Sequence, residues 1–225
     1  MKPTIRHGGL QSPRLPKSLS VKTLAALEDH AEYTTFSLAD CNLTQQAAAS
    51  VVFEQIHFRR ANFTRTRLPR ARLSDVRFET SDLSGADWEQ ARLRRSELIN
   101  CRLLGLQIVE GHLEDVLIKD SSLENAIFVS TLFKVVRFEK CNLRGVSFEQ
   151  ADLSGVIFQQ CDLTNANLLG AKLPEADLRG SIIDGLRVTA KELQGAIIDR
   201  MQAVQVVGLL GIAVKDNEDT PNAYR

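Results

Sequence analysis

The sequence has no apolar run long enough to span a membrane, no surplus of either charge (28 basic against 28 acidic side chains), and no CxxC pair among its four cysteines. Each absence removes a class of function. Without about twenty consecutive apolar residues no transmembrane helix is expected. Balanced charge removes the bulk electrostatic argument for a membrane or nucleic-acid partner. Isolated thiols fit neither a disulfide framework nor a zinc site and suit a reducing cytoplasm. Phosphate-cradling patterns of the GxGxxG or GxxxxGK type are missing, and Met1 to Ser20 carry three prolines but no apolar signal region. Of the four histidines, His57 and His112 stand 55 residues apart and none meets carboxylates at metal-ligand spacing. No catalytic constellation, cofactor site or metal site is expected, and the chain reads as a non-enzyme.

What is present is a period of five. From Leu38 to Ile183 every fifth residue is Leu, Phe, Ile or Trp, with Ala48 the one exception, and nine of the ten phenylalanines fall on this lattice. Five residues advance an α-helix by about 140° beyond a full turn, which would smear the apolar set around the cylinder. In a continuous strand every second lattice residue would face solvent. A chain that bends at every repeat, keeping one face of each short extended piece inward, buries them all. That is a solenoid.

Two residues before each lattice position stands a second inward residue, usually small, as at Ala61, Ala71, Ser81, Ala86 and Ala91. Two residues after it, turn-formers gather, with Gly85, Gly105, Gly145, Gly155, Gly170 and Gly180. Cys41, Cys101, Cys141 and Cys161 all occupy the small inward position at separations of 60, 40 and 20. The whole column at spacing twenty keeps one character, so four repeats close one coil. Coils stacked at the interstrand spacing make a rod on the order of 36 Å long. The core ladder then includes Phe138 over Phe158 and the thiols of Cys101, Cys141 and Cys161.

Triplets such as Ala61-Asn62-Phe63, Ser81-Asp82-Leu83, Ala151-Asp152-Leu153 and Ala176-Asp177-Leu178 resemble the A-[DN]-L-x-x signature of the pentapeptide-repeat family. The resemblance implies an all-β fold, a right-handed quadrilateral β-helix with four repeats per coil. The expected organisation is a flexible leader (1–20), an N-terminal cap (21–37), the β-helix (38–188), a C-terminal cap with a dimerisation helix (189–214) and a flexible tail (215–225). The N-terminal cap should use Leu24 and Leu27 on one side of a short amphipathic stretch to cover the first coil. Near the other end, Thr189 and Glu192 spell a capping box for a short helical turn that Gly195 stops. A helix should follow from Asp199 to about Leu210, closed by Gly211.

Between Ala203 and Val214 the only polar side chain is Gln205. A helix apolar all round suggests burial on two sides, one against the last coil and one against a second copy. The candidate dimer residues are Met201, Ala203, Val204, Val206, Val207 and Leu210. The tail pattern, Gly195-Ala196 with Asp199, Gln202, Ala203, Val204 and Gly211, resembles gyrase-binding pentapeptide-repeat proteins of the quinolone-resistance type. That resemblance implies a homodimer and, as a partner, DNA gyrase or a related type II topoisomerase, met by mimicry of DNA. A mimic needs many uncompensated negative charges, since duplex DNA carries about one per 1.7 Å, whereas acidic and basic residues in the repeats are nearly equal in number.

Two surface features remain. Arg59, Arg60, Arg65, Arg67, Arg70, Arg72 and Arg77 form a basic stretch, but a twenty-residue coil spreads them over all four sides. Only Arg72, Arg92, Arg94 and Arg95 fall together, and no aromatics interleave for base stacking, so direct nucleic-acid binding is not expected. Val109, Ile127 and Val129, with Leu132 and Leu117 nearby, turn apolar where outward residues are expected. They read either as a partner-contact patch or as ordinary surface. The expected function is a cytoplasmic dimeric protein-interaction scaffold, with the topoisomerase-binding mimic as the alternative.

Overall fold

The computed structural model describes residues 9–215. Strands β1 (Ser20–Lys22), β2 (Glu32–Ala39), β3 (Val52–Arg59), β4 (Arg72–Glu79), β5 (Arg92–Ile99), β6 (His112–Lys119), β7 (Leu132–Glu139) and β8 (Ile157–Gln159) form one parallel sheet in sequence order. From β2 onward each strand pairs with the residue twenty positions on, as in Phe58 with Phe78 and Phe138 with Phe158. The same step of twenty recurs in the bridges of the other two sides, such as Asn62 with Asp82 and Arg67 with Asp87. Four repeats therefore close each coil of a right-handed quadrilateral β-helix. One helix follows, α1 (Arg200–Leu209).

Each corner needs a left-handed residue two places after the lattice position. Glycine fills it at Gly85 and Gly105 with φ 64° and 61°, but Arg65, Gln90 and Asp115 adopt φ 54–56° at equivalent corners. Even β-branched Val135 sits at φ 54°. A left-handed residue with a Cβ costs roughly 1–2 kcal/mol. The ladder on both sides offsets it, because the corner amide of Gln45 donates to Thr64 O and that of Arg65 to Ser84 O in the following coil.

The interior is filled by the lattice. Phe58 and Phe78 stack with centroids 4.6 Å apart, and Phe138 and Phe158 lie 5.2 Å apart at 5°. Trp88 donates through Nε1 to Thr66 Oγ1, which donates in turn to Phe63 O, so the buried indole is satisfied. All four cysteines are buried and unbridged. Burial pushes the Cys41 and Cys101 thiols up to about 11. Cys141 is raised further, by its hydrogen bond with Cys161 and then by burial.

The N-terminal end closes differently from the sequence expectation. The N-terminal cap is a strand and a loop. β1 pairs with β2, Leu27 is buried, and Leu24 packs on the core half-exposed. Gln46, in the inward column of the first coil, accepts from Leu27 N–H and donates to Ala25 O. At the other end Thr189 N–H donates to Glu192 and Leu193 N–H reaches back to Thr189 O at 3.4 Å, the bonds of one short helical turn, with Gly195 at φ 81° after it. Asp199 caps α1 and Gly211 follows it at φ 78°.

Candidate interaction surfaces

The outward residues of neighbouring coils are paired by charge. On the Leu38/Phe58 side Arg60 meets Asp40 at 2.7 Å and Arg77 meets Glu97 at 2.6 Å. Arg102 faces Asp82 on the Leu43/Phe63 side and Arg67 faces Asp87 on the Ala48/Leu68 side, each at 3.8 Å. Glu114 bridges Arg94 and Lys134 on the Phe53/Leu73 side. Exposed pairs of this kind contribute little stability. Their consequence is that both signs occur on every side, and among the described residues no side carries a continuous acidic stripe. His57 bonds Glu79 at 3.0 Å, and burial lowers its pKa more than that carboxylate raises it. His112 lies on a different side, as the spacing implies.

The expected contact patch is divided. Val109, Ile127 and Val129 share one side in adjacent coils and are half-buried. Leu132, 40% exposed, stands round the corner on the next side, in the ladder between His112 and Asp152. Leu117 belongs to the opposite side, between Glu97 and Arg137, and takes no part in the patch.

The expected dimer residues are also divided. Only Gln202, 3% exposed, is buried in α1, while Val206 and Leu209 pack against the core half-exposed. The Gln202 amide donates to Leu178 O at 2.6 Å and Ser181 O at 2.7 Å, and its oxygen accepts Asp199 N–H. A glutamine thus closes carbonyls that no further coil exists to pair. Backbone amides of Gln202, Gly180 and Met201 hold the Asp199 carboxyl below its ordinary range. Anchored this way, the helix turns Met201 (78% exposed), Val204 (56%), Ala203 and Leu210 (37%) outward, with Val207 half-buried. Val206, by contrast, is turned partly toward the solenoid.

Sequence reasoning missed one contact altogether. The segment read as a loose leader lies along a corner of the rod from residue 9 onward. Arg14 N–H donates to Asp75 at 2.9 Å, Gln11 N–H to Asp115 at 3.3 Å, and Gln55 Nε2 to Arg14 O. Three extended residues reach about 10 Å, which matches the rise of two coils, about 9.6 Å, so the strap and the corner column are in register. Beneath it Arg95 grips Asp75 through two bonds of 2.7 and 2.5 Å, and Asp75, Arg95 and Asp115 are all buried. Burial raises the Asp75 pKa, but Arg95 and the Arg14 amide outweigh it and hold the carboxyl low. Opposite charges twenty apart at a corner position were the available signal. Residues 1–8 and 216–225 lie outside the described residues, and with them most of the expected tail.

The family model for the pentapeptide repeat region matches residues 31–108 and again 91–168. The chain belongs to the pentapeptide-repeat family. Among solved structures, this pentapeptide-repeat protein is similar to a trypsin-treated variant of QnrB1, a plasmid-mediated fluoroquinolone resistance protein. The two share 22% identity over 82% of this chain and 100% of that one, with a TM-score of 0.44. HetL, involved in heterocyst differentiation regulation in the cyanobacterium Nostoc sp. strain PCC 7120, is 24% identical over 76% of this chain and 90% of its own, with a TM-score of 0.31. No curated protein matches the sequence. Among the described residues, no helix is long and apolar enough to cross a membrane.

Proposed function

We propose that this pentapeptide-repeat protein is a non-enzymatic, dimeric scaffold of the cytoplasm that presents its sides to a protein partner. The observation that carries the reading is the outward apolar surface of α1. Gln202 fixes the helix with polar bonds, so Met201, Ala203, Val204 and Leu210 are left for another surface. A two-fold contact needs only one self-complementary patch, which the same face of a second α1 provides. In this reading residues 189–214 both cap the rod and join two rods end to end, while Val109, Ile127 and Val129 meet the partner. A topoisomerase-binding DNA mimic would require an acidic stripe, and the ladders of mixed sign argue for the scaffold instead.

Sedimentation of the full chain at micromolar concentration tests the dimer. Val204→Asp should give a folded monomer with the β-sheet circular dichroism intact. A wild-type chain that already sediments as a monomer would remove the dimer and reduce α1 to a cap.

A further inference from the structure

At one place in the described ladders, like charges stand in register. On the Phe53/Leu73 side Arg72 pairs in register with Arg92, and Arg92 with His112, so three nitrogen-bearing side chains stack with no carboxylate between them. Like charges directly opposite in a ladder are unfavourable. The ladder opens on a surface groove of about 480 Å³, lined by Ser50, Arg70, Arg72, Gln90, Arg92 and His112. Among the described residues no carboxylate ion-pairs with Arg70, Arg72 or Arg92. Arg70 reaches only Ser50 Oγ, at 3.4 Å. The one acid in the lining, Glu110, is held by Gln90 at 2.9 Å. A separate observation concerns the same lining: His112 Nε2 is buried without a hydrogen-bond partner among the described residues, and in folded proteins such a group usually has a water, ion or other partner.

We infer that this groove is a binding site for a small anion carrying two or more phosphoryl groups. Guanidinium groups pair with phosphoryl oxygens through two parallel bonds, and two of them one coil apart can each face one group of a polyphosphate. The volume lies in the range of small-molecule sites. No Phe, Tyr or Trp lines the groove, and its arginines direct recognition to the phosphates. The cationic tract is short, ending at Val52 on one side and Leu132 on the other. A duplex backbone would need it to continue.

The test is calorimetric titration of the full chain with sodium tripolyphosphate and with pyrophosphate, beside a DNA duplex and sodium chloride at matched ionic strength. Wild type and the control Arg65→Gln, on another side, should bind tripolyphosphate saturably at one site per chain. The double variant Arg72→Gln, Arg92→Gln should bind at least tenfold more weakly. Without ligand its melting temperature should equal or exceed that of wild type, because a repulsive pair has gone. Only wild type and the control should gain melting temperature with tripolyphosphate beyond the salt arm. Unsaturable heat in wild type, equal binding by the double variant, or tighter binding of the duplex lost in the same variant would each overturn the small-anion site.

Discussion

Replacing Gln202 with leucine keeps the volume near α1 but deletes three hydrogen bonds, two to the last coil and one within the cap box. Each contributes about 0.5–1.5 kcal/mol net; Leu178 O keeps the Ser181 N–H, whereas Ser181 O loses the Gln202 amide. The remaining anchor is modest. Val206 and Leu209 are half-buried, so each contributes on the order of 1 kcal/mol. The expected loss is about 2–4 kcal/mol, capped by the docking energy of α1, since an undocked helix has nothing more to lose. The rod should survive. Urea unfolding followed by circular dichroism would then show a separate early phase, and hydrogen exchange should accelerate at Gly180, whose N–H bonds Asp199. Gln205→Leu, which loses only an exposed bond to Asp184, should stay within about 0.5 kcal/mol. If Gln202→Leu unfolds like wild type and Gly180 exchanges no faster, the account of how the rod is closed is wrong.

Phe138→Ala should cost about 3–5 kcal/mol by urea titration, because it opens a cavity beside Phe158 and Phe148, whereas exposed Lys140→Ala should stay within about 0.5 kcal/mol. Cys101, Cys141 and Cys161 should resist thiol reagents at neutral pH until the chain unfolds, and rapid labelling of the native protein would show the column facing outward. Asp75→Asn should destabilise by about 3 kcal/mol at neutral pH, since it leaves Arg95 buried without its partner. The folded Asp75 pKa is depressed, so its contribution is present above the ordinary carboxylate value near 4 and fades as pH falls through the folded value. The difference between wild type and Asp75→Asn should therefore shrink in acid, and a gap independent of pH would refute the ion pair.

The period of five and the column of thiols twenty apart were enough to specify the coil, its four sides and its core. Both are statements about side-chain direction, which repeats with the chain and needs no distant partner. The start and stop of α1 were legible for the same reason, since Asp199 and Gly211 act within a turn of themselves. The anchoring of α1 was not. Apolar residues were expected to hold it, yet the buried residue is Gln202, because what the end of a solenoid lacks is hydrogen-bond donors, and those carbonyls come from residues 21 and 24 places earlier. The strap was hidden in the same way. Its amides find carboxylates 61 and 104 residues along the chain, a match that exists only once the coils are stacked. That Arg72 and Arg92 share a side followed from the coil length, but that no carboxylate pairs with either emerges only once the coils are stacked. Residue spacing decided the fold, while the way the coils end and which charges stay uncompensated were decided by contacts that only the stacked rod brings together.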